Sequence, residues 1–360
     1  MKKTVRRIFK GLGILLGIVL LAVIGLFVFL TIREYYPRET VSVGVEQLSG
    51  AAHAPAPGDS LTLLDWNIGY CGLDRDEDFF MDGGTMSITS SAELLPKTLN
   101  GIAETIKKQQ ADVVFLQEID RDSARSYHVN EYELLSGQVG MANRAFANNY
   151  LCDYVPYPIP GMLGKVDSGL AILSDLAAES ADRVPLPCPF SWPVRIANLK
   201  RCLLVERIPL EGTDKQLVLI DLHLEAYDSG EGKLAQTQQL MQLLQEEYAA
   251  GNYVIAGGDF NQTFPDAPDD LYAIREEGLW TPGVLDTWLL DDGWTLAYDG
   301  STPTCRSLDK PYTGDPMHQY YLIDGLLLSP NVRLDSIETL DEGFTYSDHN
   351  PLRLEFTLCE

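Results

Sequence analysis

Residues 11–32, "GLGILLGIVLLAVIGLFVFLTI", carry no charged side chain over 22 positions. Wound as an α-helix, this run is roughly 33 Å long, enough to cross the hydrocarbon core of a bilayer. Its length and purity set it apart from the core helix of a soluble domain. The run ends in "FLTIREYYP", with neither an A-x-A pattern nor a cysteine for a lipid anchor, so an uncleaved anchor is expected rather than a removed signal peptide. Lys2, Lys3, Arg6, Arg7 and Lys10 precede it closely, while Arg33 and Arg38 follow. The excess of positive charge stays in the cytoplasm, which puts the rest of the chain outside. The expected division is a basic tail at 1–10, a transmembrane helix at 11–32, a linker at 33–60 and one domain at 61–360. Tyr35 and Tyr36 fall where interfacial aromatics belong.

Beyond position 33 the chain holds 21 basic residues against 52 acidic ones, a net of −31. A body this acidic repels polyanions at long range, which disfavours a sequence-blind nucleic-acid coat protein. Hydrophobic residues make up 45% and charged residues 22%, so the domain can build a packed core. Six cysteines (71, 152, 188, 202, 305 and 359) show no C-x-x-C spacing, which argues against a zinc ribbon or thioredoxin-like motif and leaves their pairing open. Cys202, in "CLLVERI", reads as an ordinary buried strand residue.

Residues 46–60, "EQLSGAAHAPAPGDS", have the Ala, Pro and Gly content of a tether or surface loop. Short apolar runs bounded by turn formers then recur: "LTLLDWN", "ADVVFLQE", "SGLAILS", "RCLLVERIPL", "QLVLIDLHLE", "NYVIAGGDFN", "YYLIDGLLLS" and "PLRLEFTL". Two helices are expected among them. Over 94–110, Leu95, Leu99, Ile102 and Ile106 fall at helical spacing, and over 231–249 so do Leu234, Met241, Leu244 and Tyr248. Several strands are apolar on both faces, which suggests two stacked sheets covered by helices.

Polar residues of one chemical kind stand at the ends of those strands. Asn67 ends the first, Glu118 ends "DVVFLQE", and His223 lies in "IDLHLE". Asp259 and Asn261 stand two apart in "GGDFN", which on an extended chain would put them on one face. Asp324 interrupts "YYLIDGLLLS", where a buried carboxylate needs a partner and a histidine would suit. "SDHNP" supplies Asp348 and His349. Singly, each has a bland reading as a turn residue, a solvated strand end or a satisfied histidine. Their order along the chain is far more specific.

That order resembles the endonuclease/exonuclease/phosphatase superfamily, which includes deoxyribonuclease I-like, exonuclease III-like and neutral sphingomyelinase-like members. The resemblance runs through "WNIGY", "FLQEID", "LAILS", "DLHLEA", "GGDFN", "IDGLLLS" and "YSDHNP". It implies a four-layer α/β/β/α sandwich, a site at one end of the two sheets, and a divalent cation, Mg2+ with Mn2+ as the alternate. Carried over block by block, Glu118 matches the principal metal ligand, with Asn67 and Asp348 beside it. His349 matches the group that activates the attacking water and Asp324 the carboxylate that orients it. Asp259 and Asn261 match the pair around the nucleophile, and His223 the second histidine that contacts the phosphate. These types suit phosphoester hydrolysis. A hard oxygen ligand suits Mg2+, a histidine titrates near neutrality, and donors offset the charge that develops.

The substrate is less legible. Outward placement and acidity favour a lipid headgroup or small phosphate ester, with a surface-tethered nuclease as the alternative. A binding protein that keeps the fold without turnover is a third reading. Between 183 and 210, basic residues outnumber Glu206 alone, and Arg195, Lys200 and Arg201 are candidates to contact a phosphate or headgroup. The other expected partner is the membrane, through the N-terminal helix.

Overall fold

The computed structural model describes residues 2–48, 50–268 and 270–360. The apolar run lies within helix α1 (Lys2–Ile32). Over its most apolar 18 residues none of its side chains is buried in the protein, whereas near its end Phe27 is half-buried and Leu30 is buried against the domain.

Two edge strands follow, β1 (Val41–Ser42) and β2 (Glu46–Gln47). The first half of the domain then runs β3 (Ser60–Asn67), α2 (Leu94–Gln109), β4 (Val113–Asp120), α3 (Glu131–Val139), β5 (Asn143–Val155) and β6 (Gly164–Ser174). The second half begins with β7 (Ser180–Pro185), β8 (Cys202–Pro209), β9 (Gln216–His223), α4 (Glu231–Ala249) and β10 (Tyr253–Asp259). Short strands follow at β11 (Gln262–Thr263), β12 (Gly283–Val284), β13 (Thr295–Ala297), β14 (Cys305–Arg306) and β15 (Tyr320–Tyr321). The chain closes with β16 (Asp324–Leu328), β17 (Val332–Thr339) and β18 (Leu352–Leu358).

Two seven-stranded sheets stack face to face, in the orders β17-β18-β3-β4-β6-β5-β2 and β1-β7-β8-β9-β10-β16-β13. Alternation decides what lies between them. Leu61, Leu63, Phe115 and Ile172 of one sheet meet Leu204, Leu219, Ile255 and Leu326 of the other, all buried. The opposite face of the first sheet packs on Leu95, Leu99, Ile102 and Ile106 of α2 and on Leu135 of α3. The second sheet packs on Leu240, Met241 and Leu244 of α4. The result is the expected four-layer sandwich, and each fully buried Leu or Phe contributes about 2 kcal/mol of transfer free energy.

Two expectations need correction. In α4 the apolar stripe does not begin at Leu234, which is exposed. The inward position one turn before Leu240 belongs to Gln236, whose side chain accepts from the amide of Glu225 and donates to the carbonyl of Pro187. Nor does 33–60 hang free as a linker. β1 pairs with β7 and β2 with β5, one on each sheet, and His53 bridges to Leu176. Sheet edges offer unpaired backbone groups, and this segment satisfies them. All six cysteines are free.

Candidate active site

The strands that carry the predicted residues end together. Asp259, the last residue of β10, sits in register opposite His223 on β9 and opposite Asp324 on β16. β10 can lie this close to β9 because Gly258 has a φ of +135°, and a Cβ there would stand 2.0 Å from the carbonyl oxygen of Leu222. On the facing sheet β3 ends at Asn67, whose Nδ2 donates to Asp259 Oδ2 at 3.0 Å. That bond spans the gap between the sheets.

His349 is held on three sides. Its Nδ1 lies 2.9 and 3.0 Å from the two oxygens of Asp324, so the carboxylate sets the ring's orientation and tautomer. Its backbone carbonyl accepts from Trp66 Nε1 at 2.9 Å, and its amide donates to Ser347 Oγ, which in turn donates to the carbonyl of Asn67. Nε2 is left facing Asn67 Nδ2 at 3.5 Å, Asp259 Oδ2 at 3.7 Å and Asp348 Oδ2 at 3.9 Å. Burial opposes a charge on this ring, but the carboxylates of Asp324 and Asp348 outweigh it and hold the imidazolium well above the usual histidine range. His223 goes the other way. Burial, with Arg201 and His349 nearby, pushes it well below that range, and its neutral ring lies with Nε2 3.4 Å from Asp259 Oδ2. Burial and the proximity of Asp324 raise the Asp259 carboxyl to about 7.

Glu118 reaches the site by a different device. Strand β4 continues to Asp120, but the register with β6 breaks between Leu116 and Ile119, and Glu118 has a φ of +54°. This bulge re-aims a side chain that a regular strand would point elsewhere. Among the described residues its only ionic partner is Arg125, at a long 3.5 Å, and burial raises its pKa. A hard carboxylate turned into a cavity and short of positive charge is a fitting ligand for a divalent cation. Asp348 borders the same cavity, and Asn67 stands behind it, bonded to Asp259. Two tighter groupings of ligand atoms, each within 4.8 Å, also occur among the described residues: Asp259–Asp324–His349 and Cys305–Asp348–His349. Glu118 stands outside both.

Asn261 departs from the expected geometry. The strand stops at Asp259 and Asn261 takes the left-handed conformation, φ +51°, so the two do not share a face of an extended chain. Instead Asp259 Oδ1 accepts the amide of Asn261 at 2.8 Å, and Asn261 Nδ2 donates to the carbonyl of Leu224.

The basic candidates separate. Arg201 borders the cavity, with Nη1 donating to the carbonyl of His223. Arg195 and Lys200 do not reach it. Arg195 makes a bidentate pair with Glu34 at 2.8 and 3.0 Å, and Lys200 stands 3.5 Å from the same carboxylate. Other cavity residues carried no sequence signal. Arg125, buried over the ring of Tyr70 at 3.9 Å, is fastened to Asp120. Tyr227 donates to Asp82 at 2.9 Å, linking loops from the two halves of the domain. They lie in irregular segments, where periodicity says nothing.

All eight strand-end residues except Asn67 and Asp324 border one cavity of about 580 Å³, and these two stand behind Asp259 and His349. This is a site that can hold a cation beside an anion, bring donors to it and manage a proton. The family model described as the endonuclease/exonuclease/phosphatase family matches residues 66–349, and the chain belongs to that family, whose enzymes generally cleave phosphodiesters and typically use divalent metal ions. Solved structures agree on the fold. The endonuclease/exonuclease/phosphatase from Beutenbergia cavernae aligns with a TM-score of 0.57 at 17% identity, over 83% of this chain and 72% of that one. The family members from Bacteroides vulgatus (0.53, 16%, 83% and 99%) and Bacteroides thetaiotaomicron (0.53, 14%, 84% and 99%) align similarly. No curated protein matches the sequence.

Proposed function

We propose that this protein is a membrane-anchored, Mg2+-dependent phosphoesterase acting outside the cytoplasm on a lipid headgroup or small phosphate ester. The observation that carries the reading is the meeting of Asn67, His223 and His349 around Asp259 Oδ2, at 3.0, 3.4 and 3.7 Å. In the reaction, water attacks phosphorus, a new P–O bond forms and the ester P–O bond breaks. His349 Nε2 takes the proton of the water, and Asp324 at Nδ1 stabilises the imidazolium that results. Asn67 and His223 direct N–H donors at the charge that builds on the phosphoryl oxygens, and the departing oxygen takes up a proton to leave as the alcohol. Glu118, Asp348 and Asn67 would hold the cation, which when bound polarises a phosphoryl oxygen and offsets the carboxylates that keep His349 charged.

The fate of the basic stretch supports a lipid or small ester over a nucleic acid. Arg183 donates to the carbonyls of Asn148 and Lys200, Arg207 is paired with Glu247, and Arg195 and Lys200 with Glu34. Only Arg201 of that set faces the cavity. The test uses the full-length protein in nanodiscs with Mg2+, assayed on phosphatidylcholine, bis-p-nitrophenyl phosphate and supercoiled DNA. Hydrolysis of the lipid or the small diester, abolished by EDTA and in His349→Ala, is expected. Rapid DNA nicking with both others intact would establish a nuclease instead, and turnover of none would favour a binding role.

A further inference from the structure

The cavity that holds the catalytic cluster has a second, apolar arm, and part of its wall is the anchor helix itself. Phe27 and Leu30 of α1 line it together with Phe80, Tyr157, Leu163 and Ile196 of the domain. The contact is a built seam. Leu30 is only 3% exposed, packed with Val155, Leu163 and Ile196. Trp192 Nε1 donates to Thr31 Oγ1 at 3.1 Å, and its ring meets Phe27 at 6.2 Å. Arg33 pairs with Asp153 at 2.7 Å, and Glu34 is clamped by Arg195 and Lys200. Tyr36 lies under both of those cations, 4.8 and 5.6 Å from its ring centroid.

Helix and domain therefore meet in one orientation, with the arm opening where α1 leaves the bilayer. The rim there is apolar and bare: Ile159 is 80% exposed, Tyr157 59%, Val194 58% and Trp192 56%. Exposed side chains of this kind, adjoining a membrane-spanning helix, belong in the interfacial zone of the leaflet. A water-soluble substrate has no use for such an arm, while a lipid chain needs somewhere apolar to lie as its phosphate reaches Glu118 and His349.

Resting on the phosphoesterase reading above, we infer that the substrate is a lipid phosphoester drawn sideways from the outer leaflet, its hydrocarbon chain lying against Phe27 and Leu30. The anchor is then part of the substrate-binding groove and not merely a tether. The loops bearing Ile159 and Trp192 seat the groove mouth in the headgroup layer.

The inference is tested by calorimetric binding of ethyl, butyl, hexyl and octyl phosphate to the full-length protein in nanodiscs with Mg2+, corrected for partition into empty nanodiscs. Affinity should rise with chain length, by up to about fourfold per methylene, and the slope should collapse in Leu30→Gln. If that variant does not fold, Ile196→Gln on the opposite wall should give the same collapse. A flat wild-type series, or an equal slope in folded variants, would overturn the groove assignment. Because binding is read without turnover, the result separates from the function itself: a steep slope with no hydrolysis of any ester would sink the phosphoesterase reading and leave the groove standing.

Discussion

The cavity cluster and the anchor seam both bury charge, and they do it in opposite ways. At the seam every charged group is answered. Glu34 has Arg195 and Lys200, Arg33 has Asp153, and Tyr36 lies beneath the two cations that clamp Glu34. In the cavity, charge is left short of partners. Among the described residues Glu118 has a single distant arginine, and His223 Nδ1 is buried without a hydrogen-bond partner. Completed pairing produces rigidity, whereas incomplete pairing that faces a cavity produces a place for ligand charge. The contrast also explains why a basic stretch in the sequence looked like a phosphate site and is chiefly a clasp.

The largest effect should come from breaking the polar end. His349→Ala is expected to lower kcat by about a thousandfold or more, and Asp324→Asn, which leaves the ring but not its tautomer, by about a hundredfold. Retention of activity in His349→Ala, measured on bis-p-nitrophenyl phosphate, would remove the histidine from the mechanism.

Glu206 sharpens the comparison from a third place. It sits in β8, fully buried, with both oxygens lacking a hydrogen-bond partner among the described residues. Burial raises its carboxyl to about 8. The unfolded chain releases this proton near pH 4.5 and the folded one only near 8, so no penalty exists below about 4.5. Stability is lost as pH rises between the two values, by roughly 5 kcal/mol in all. Glu206→Gln should unfold like the parent near pH 4.5 and be more stable by a few kcal/mol at pH 9 in urea titrations. Parallel pH dependences would mean that another group answers the charge.

Glu118→Gln should raise the Mg2+ concentration needed for half-maximal activity by about ten- to a hundredfold, read from Mg2+ titrations of the rate. The smallest effect belongs to the clasp. Glu34→Gln leaves the buried Lys200 and the partly exposed Arg195 without their counter-charge and should cost about 1–2 kcal/mol of stability. In the parent, Arg195 holds the Glu34 carboxyl below its usual range. That contribution is present above the unfolded carboxylate pKa and is lost as pH falls through the folded one. A melting series from pH 7 to pH 3 should therefore bring parent and variant together at the acid end.

Much of this molecule could be read along the chain. A charge-free run of 22 residues admits little but a membrane helix. Helical spacing marked α2 and α4, because burial on one face imposes a period, and apolar runs bounded by turn formers marked most long strands, because burial on both faces leaves few polar residues. The strand-end residues were legible because their types and order recur in a family, and a strand end near the sheet edge leaves its side chain free for chemistry. Glu118 shows the limit. Its place was visible in "FLQEID", but the bulge that turns it into the cavity is a matter of register between β4 and β6.

Tertiary structure alone decided the rest, for one physical reason: a charge or an apolar side chain acquires its role from what folds against it. Arg195 and Arg201 read alike in sequence, yet one closes on Glu34 and the other borders the catalytic cavity. Tyr35 and Tyr36 read as interfacial anchors, and the fold lays them beside Arg183 and beneath Arg195 and Lys200. Composition determined that this chain has a helix long and apolar enough to span a membrane, and order determined that it has a phosphoesterase-like site. That the two share a wall at Phe27 and Leu30 followed from contacts between residues more than a hundred positions apart, which no local pattern encodes.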